Sequence, residues 1–218
     1  MKEETIMFFF VKFGQYQFMK ELYDSGQIFM QRWRTFRNIE HDQIGDRNEG
    51  LSHAIQASNI IAEFNGKKAE GEPIGPLRCT FNPSYNPMIF CLYCFTDRNF
   101  NESGSQIDPR CCGFGEYAVV ITNIEKFNEM LLDALESSSR GNVHSQLIDY
   151  VPYYNYQGEM GPFRKYDDFK YQSEYRFVYE SEDTAPTHTL QIGSLKEVAI
   201  LCPSEQVHQL VKHIKVLK

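Results

Sequence analysis

The chain lacks any uninterrupted apolar run near the 18 residues that a bilayer-spanning helix needs. Its first residues, MKEETIMFFFVKFG, hold only seven unbroken apolar or neutral positions. They place acidic residues where a secretion signal carries positive ones, so no export leader is expected. Positive charge is also short: 22 Lys and Arg against 29 Asp and Glu leave a net charge of −7. That balance argues against a broad nucleic-acid footprint, though a local basic cleft stays open. No Walker phosphate loop is present, and Gly113-x-Gly115 has no third glycine in place for a dinucleotide turn. There is neither a G-x-S-x-G elbow nor an H-E-x-x-H helix. Low-complexity tracts, internal repeats and Pro/Gly/Ser-rich linkers are missing too, so residues 1–218 are expected to form a single domain.

What the chain does contain is globular. Apolar residues at 42% and charged residues at 23% exclude wholesale disorder. The 17 Phe and 13 Tyr are many, and such rings bury a large area each while Tyr keeps one polar end. Six cysteines, several inside apolar runs, point to reduced thiols and a cytoplasmic setting rather than a disulfide scaffold. Cys91 and Cys94 form a C-x-x-C, but three-residue spacing along a strand sends their side chains to opposite faces. Cys111-Cys112 lies in a turn with no neighbouring ligand pair. The six His, at 41, 53, 144, 188, 208 and 213, are scattered. No metal is expected.

Residues 6–13 (IMFFFVKF) read as a buried strand, followed by a helix over 15–25 that Gly26 ends. Residues 27–33 form a second strand, and 34–50 a long polar loop. The stretch 51–64 fits helix and strand alike, with Asn65-Gly66 favouring a hairpin. MIFCLYCFT (88–96) and YAVVIT (117–122) are apolar enough for central strands. Asn123 then caps the helix IEKFNEMLLDALES. A strand near 143–151, an aromatic loop over 152–168, an alternating strand over 169–179, a strand over 196–202 and a helix from Ser204 complete the chain. Strands and helices mix without a βαβ repeat. The expected fold class is therefore α+β, with mixed, mainly antiparallel sheets and flanking helices.

Two segments stand out chemically. The loop 34–50 holds Arg34, Arg37, Glu40, Asp42, Asp46, Arg47 and Glu49. Such a loop is either a solvated segment whose charges pair with one another, or a functional one, and its length favours function. In the strand 169–179, period two puts Gln172, Glu174 and Arg176 on one face and Tyr171, Ser173, Tyr175 and Phe177 on the other. That face is either a solvent face with a Glu–Arg pair, or a pair of side chains aimed at a ribose.

Gln172-Ser173-Glu174 resembles the Q/E-x-E signature of the ADP-ribosyltransferase superfamily. Glu70-Gly71-Glu72 and Glu180-Ser181-Glu182 match the same pattern but fall in turns. Order supports the late strand. An early basic residue (Lys12, Arg34 or Arg37) comes first, then Cys94-Phe95-Thr96 in place of a hydroxyl motif. An aromatic loop, YNYQGEMGPFRKYDDFKY, precedes the Q-x-E. The chain has no S-T-S. It also resembles a broad family of uncharacterised bacterial and phage proteins found near defence genes. That resemblance rests on Lys12-Phe13, Gly26, Asp46-Arg47-Asn48-Glu49-Gly50, Cys94-Phe95-Thr96 and Tyr171-Gln172-Ser173-Glu174-Tyr175-Arg176.

These resemblances imply an ADP-ribosyltransferase-like fold and an NAD-dependent transferase of toxin or phage-defence type, with NAD as the substrate that is split. Glu174 would stabilise an oxocarbenium-like ribose and Gln172 would orient the acceptor. Lys12, Arg34 or Arg37 would meet the pyrophosphate, Thr96 the ribose, and Tyr166 or Phe169 would stack on a ring. The acceptor would be nucleic acid or protein, and an antitoxin or inhibitor protein is a further implied partner. The competing expectation is a non-catalytic module that binds a nucleotide or nucleic acid, or docks a protein, with residues 34–50 and the aromatic loop as its surface.

Overall fold

The computed structural model describes residues 5–39, 45–68, 75–80, 82, 84–99, 107–138 and 141–211. In chain order it runs β1 (Met7–Gly14), α1 (Tyr16–Ser25), β2 (Gln27–Arg32), a 3-10 turn over Trp33–Asn38, β3 (His53–Ile55), β4 (Glu63–Phe64), β5 (Lys67–Lys68) and β6 (Leu77–Cys79). There follow β7 (Met88–Thr96), a 3-10 turn over Pro109–Phe114, β8 (Tyr117–Ile121), α2 (Ile124–Ser138), β9 (Gly141–Leu147), β10 (Asp149–Val151) and β11 (Gly158–Glu159). The last part holds β12 (Arg164–Tyr166), a 3-10 turn over Asp167–Gln172, β13 (Glu174–Ser181), β14 (Thr187–Gln191), β15 (Ala199–Pro203) and α3 (Val207–Val211). Helices and antiparallel sheets together make this an α+β fold; the β10–β12 pair is parallel.

The main sheet has the order β14-β2-β7-β1-β8-β15, with β13 on the far edge of β7 and β9 beyond it. Strand β7 is the axis. Its end at Tyr93–Thr96 pairs with β1, while Met88 and Ile89 pair with β2. Residues 90–92 therefore have β13 on one side and a gap between β1 and β2 on the other. Alternation sorts the side chains. Phe10, Leu92, Cys94, Tyr175 and Phe177 pack with Met19 and Leu22 of α1 and Phe127, Leu131 and Leu135 of α2. Phe9, Val11, Phe13, Tyr93 and Phe95 pack on the opposite face with Ile107 and Cys111. Cys94 and Cys91 accordingly fall on different faces, and all six cysteines are free.

Several local signals act as read. Asn123 Oδ1 accepts from the amide of Lys126 and caps α2. Asn65 and Gly66, at φ 51° and 74°, turn the β4–β5 hairpin. Gly26 ends α1 in the left-handed region, its N–H returning to Leu22 O at 2.9 Å.

Other segments differ. The second strand ends at Arg32, and a 3-10 turn over Trp33–Asn38 takes the last residue expected in that strand and the first of the expected loop. Residues 51–64 contain β3 before the hairpin. The late strand starts at Ala199, after a turn in which Val198 N–H bonds Leu195 O. A strand absent from the sequence reading, β14, pairs with β2, because its alternation (THTLQ) is too short and polar to register as one. The final helix is described only to Val211, and Glu40, His41 and Asp42 lie outside the described residues.

The largest departure is at residues 169–179. Period-two alternation suggested one strand, yet Asp167–Gln172 is a 3-10 turn and Ser173 sits at φ 39° before β13 begins. Ser173 Oγ donates to Cys94 O at 2.7 Å and Cys94 N–H to Ser173 O at 2.8 Å, so β7 clamps the kink. Left-handed geometry at a non-glycine costs about 1–3 kcal/mol, which these bonds offset.

Gly26 offers a direct test of the junction between α1 and β2. A Cβ there would lie 2.0 Å from Gly193 O and 2.9 Å from Gly193 N, at a φ of +68°. Gly26→Ala is expected to lower unfolding free energy by about 2 kcal/mol or more, read from urea denaturation.

Candidate functional site

Four ionised side chains meet on the β13 face that turns away from α1 and α2. Glu174 and Arg176 share it because they are two residues apart on one strand. Arg176 Nε donates to Glu174 Oε1 at 2.7 Å. Its Nη2 donates to Glu49 Oε1 at 2.7 Å, and Nη1 to Glu49 Oε2 at 3.3 Å and to Pro162 O at 2.6 Å. Lys165, from β12, reaches Glu174 Oε2 at 2.8 Å and Glu49 Oε1 at 3.4 Å. Trp33 Nε1 also donates to Glu49. None of the four exceeds 6% exposure, so this is a buried network and not a solvent face.

Charge explains how it persists. Burial alone would raise the carboxyl of Glu174, but Arg176 and Lys165 outweigh it and hold the group well below the usual carboxylate range. Burial likewise opposes the charged forms of Lys165 and Arg176, and Glu174 and Glu49 push both the other way. Asp46 differs: burial, then Glu49, push its carboxyl up. It accepts from Asn48 N–H at 2.8 Å, which closes the turn that delivers Glu49. Gly50 completes that turn at φ 80°, with Arg34 packed where a Cβ would be.

Gln172 precedes the kink but joins the same group, since its Oε1 accepts from Lys165 Nζ at 2.9 Å. Convergence of Gln172 with Glu174 thus comes from Lys165 and not from strand alternation. An ammonium only donates, so the Gln172 amide must turn its oxygen to Lys165.

Lys12 approaches from the gap between β1 and β2. Its Nζ donates to Cys91 O at 2.8 Å, a carbonyl that the gap leaves without a ladder partner on that edge. It also lies 4.8 Å from the centre of the Phe90 ring. Burial lowers its pKa, and the Cys91 thiol and Glu174 partly restore it. The Cys91 thiol is pushed up to about 12, mainly by burial, so it stays protonated. Lys12, Cys91, Glu49, Lys165, Gln172, Glu174 and Arg176 together line a cavity of about 170 Å³ whose other walls include Phe13, Phe36, Tyr93 and Phe114. A second cleft of about 730 Å³ abuts it at Tyr93 and Glu174, lined also by Thr96, Arg98, Arg110, Tyr150 and Tyr171.

The expected site residues therefore divide. Lys12, Gln172 and Glu174 come together in the smaller cavity, and Thr96 lies in the adjoining cleft, where its hydroxyl and Asn99 Oδ1 are 2.7 Å apart. Arg34 donates to Asn82 O and Arg37 to Glu49 O at 2.8 Å, both bracing loops. Tyr166 is buried against Tyr153 beside Leu51, Val151 and Met160 and lines neither cavity. Phe169 sits 5.2 Å from Lys165 Nζ and lines neither cavity. Lys165 and Cys91 were not anticipated. Glu49 was legible as one charge of the 34–50 loop and as the acid of a D-x-x-E-G segment, and Arg176 as a strand-face partner of Glu174.

No protein-family model, curated protein or solved structure matches this chain. Among the described residues, no helix is long and apolar enough to cross a membrane, and no three His, Cys, Asp or Glu side chains gather as a metal site.

Arg176→Met would leave two buried carboxylates with Lys165 alone, and about 3–5 kcal/mol of stability should be lost in chemical denaturation. Acid should act through Glu174. Its folded pKa is depressed, so its contribution is complete above the free value of 4.5 and falls as pH drops below that. Asp46, pushed up, acts with the opposite sign. The urea midpoint of wild type should fall below pH 4.5, and this fall should be shallower in Glu174→Gln.

Proposed function

We propose that this protein is an ADP-ribosyltransferase-like enzyme of toxin or phage-defence type that takes NAD at the Lys12–Gln172–Glu174 cavity. It splits the nicotinamide–ribose bond and passes the ADP-ribosyl group to a nucleic-acid or protein acceptor. One observation carries this reading: an early-strand base and the late Gln-x-Glu, more than 150 residues apart in sequence, line one cavity at a split in the sheet.

In this reading the C1′–N bond breaks with its electron pair leaving on nicotinamide, and positive charge develops on the ribose. Glu174 is ionised at every working pH, and its charge favours that state over the ground state. Its oxygens accept from Arg176, from Lys165 and from the Cys91 thiol, and a carboxylate offers about four acceptor sites, so room remains for one ribose hydroxyl. Lys12 supplies positive charge on the opposite wall. The cleft beyond Tyr93 has the volume for the remainder of the dinucleotide and holds Thr96. The acceptor nucleophile attacks C1′ and sheds its proton.

A second reading is a site that binds a nucleotide and does no chemistry. It is favoured by the engagement of both Glu174 oxygens in ion pairs at 5% exposure.

Nicotinamide release from labelled NAD by wild type and Glu174→Gln, with calorimetric NAD binding alongside, separates the two. The expected result is release by wild type and a loss of about a hundredfold or more in the variant, with binding retained. NAD binding without release would leave the binding module. Neither binding nor release would overturn the NAD reading.

A further inference from the structure

The smaller cavity has a shape and charge of its own, independent of whether NAD is the substrate. Its volume of about 170 Å³ is below the roughly 300 Å³ at which sites for drug-sized ligands begin. An apolar cavity of about 150 Å³ holds one benzene molecule. One ring is therefore the scale of its occupant. Phe13, Phe36, Tyr93 and Phe114 supply flat apolar walls suited to a planar ring.

The polar part of the lining selects what that ring carries. Three cations, Lys12, Lys165 and Arg176, face two carboxylates, Glu49 and Glu174. Lys165 and Arg176 each touch both carboxylates, so the two negative charges are matched without Lys12. The Lys12 ammonium has three N–H donors, and among the described residues one is used, on Cys91 O. A half-buried ammonium at the mouth of a split sheet, with one hydrogen bond to Cys91 O and one ring contact to Phe90, is a receptor for a carbonyl or carboxylate oxygen. Gln172 turns its carbonyl to Lys165 and its amide N–H to Tyr171 Oη at 3.5 Å, so it presents no second acceptor to this wall.

We infer that this cavity binds a small planar aromatic carboxylate or carboxamide, its ring between the Phe and Tyr walls and its oxygen on Lys12. The proposal goes beyond the transferase reading and does not rest on it. The carboxylate is preferred over the carboxamide because its hydrogen bond to the Lys12 ammonium is charge-assisted on both sides. A non-aromatic anion lacks the ring contact, and a ring without a carbonyl or carboxylate oxygen lacks the contact to Lys12.

Titration of the full chain by calorimetry and ligand-observed NMR with benzoate, nicotinate, nicotinamide, benzyl alcohol and acetate tests this. Benzoate and nicotinate should bind most tightly, nicotinamide next, and benzyl alcohol and acetate at least about tenfold more weakly than benzoate. Lys12→Met should weaken benzoate by about tenfold or more and leave benzyl alcohol unchanged. If Lys12→Met does not fold, the lysine ammonium spectrum of the wild-type protein decides, since benzoate must shift the Lys12 signal. Absence of benzoate binding, equal binding of acetate, a Lys12→Met affinity equal to wild type, or an unmoved Lys12 signal would each overturn the proposal. Benzoate binding without nicotinamide release from NAD would sink the transferase reading and leave this one standing.

Discussion

Arg176 is the residue around which the site is built. Its guanidinium has a fixed fork of donors, and the fork spans two carboxylates from distant parts of the chain and one backbone carbonyl. Burying Glu49 and Glu174 alone would cost several kcal/mol each. With Arg176 and Lys165 between them, the charges are matched and the donors largely used. The consequence is geometric. The turn that carries Asp46 and Glu49, the loop at Pro162 that leads into β12 and the start of β13 are all tied to one side chain, so each has little freedom to move without exposing a charge.

A second constraint comes from β7. A strand in a continuous sheet would have its carbonyls taken by neighbours on both edges. Here β1 and β2 part company across residues 90–92, and the edge between them needs other donors. Lys12 supplies one. The same separation makes the cavity, because side chains that would otherwise close against a neighbouring strand line an opening. Cavity and unsaturated ammonium thus share one cause.

The kink at Ser173 shows where one-dimensional periodicity stops being informative. Alternation assigned Gln172 and Glu174 to a common strand face, and both do face the same group, but through a different arrangement. The backbone leaves strand geometry between them, and Lys165 brings them back together. A lysine in the middle of an aromatic loop carries no local sign that two acidic partners and an amide await it. Glu49 was visible as part of a charged loop, a composition equally suited to solvent. Only burial distinguishes the two cases, and burial depends on what packs above the loop.

By itself the amino-acid sequence determined the element types, most of the main-sheet strands, the helix ends at Gly26 and Asn123, the hairpin at Asn65-Gly66 and the α+β class. Each is decided by contacts within a few residues: the period of apolar side chains, a capping oxygen, a positive φ. The tertiary structure alone decided the edge position of β14, the split beside β7, the choice of Lys12 over Arg34 and Arg37 as the base beside Glu174, and the inward burial of Asp46 and Glu49. These depend on register between strands far apart in the chain and on the low-dielectric interior that makes an unmatched charge costly. Neither can be read from a residue's neighbours in sequence.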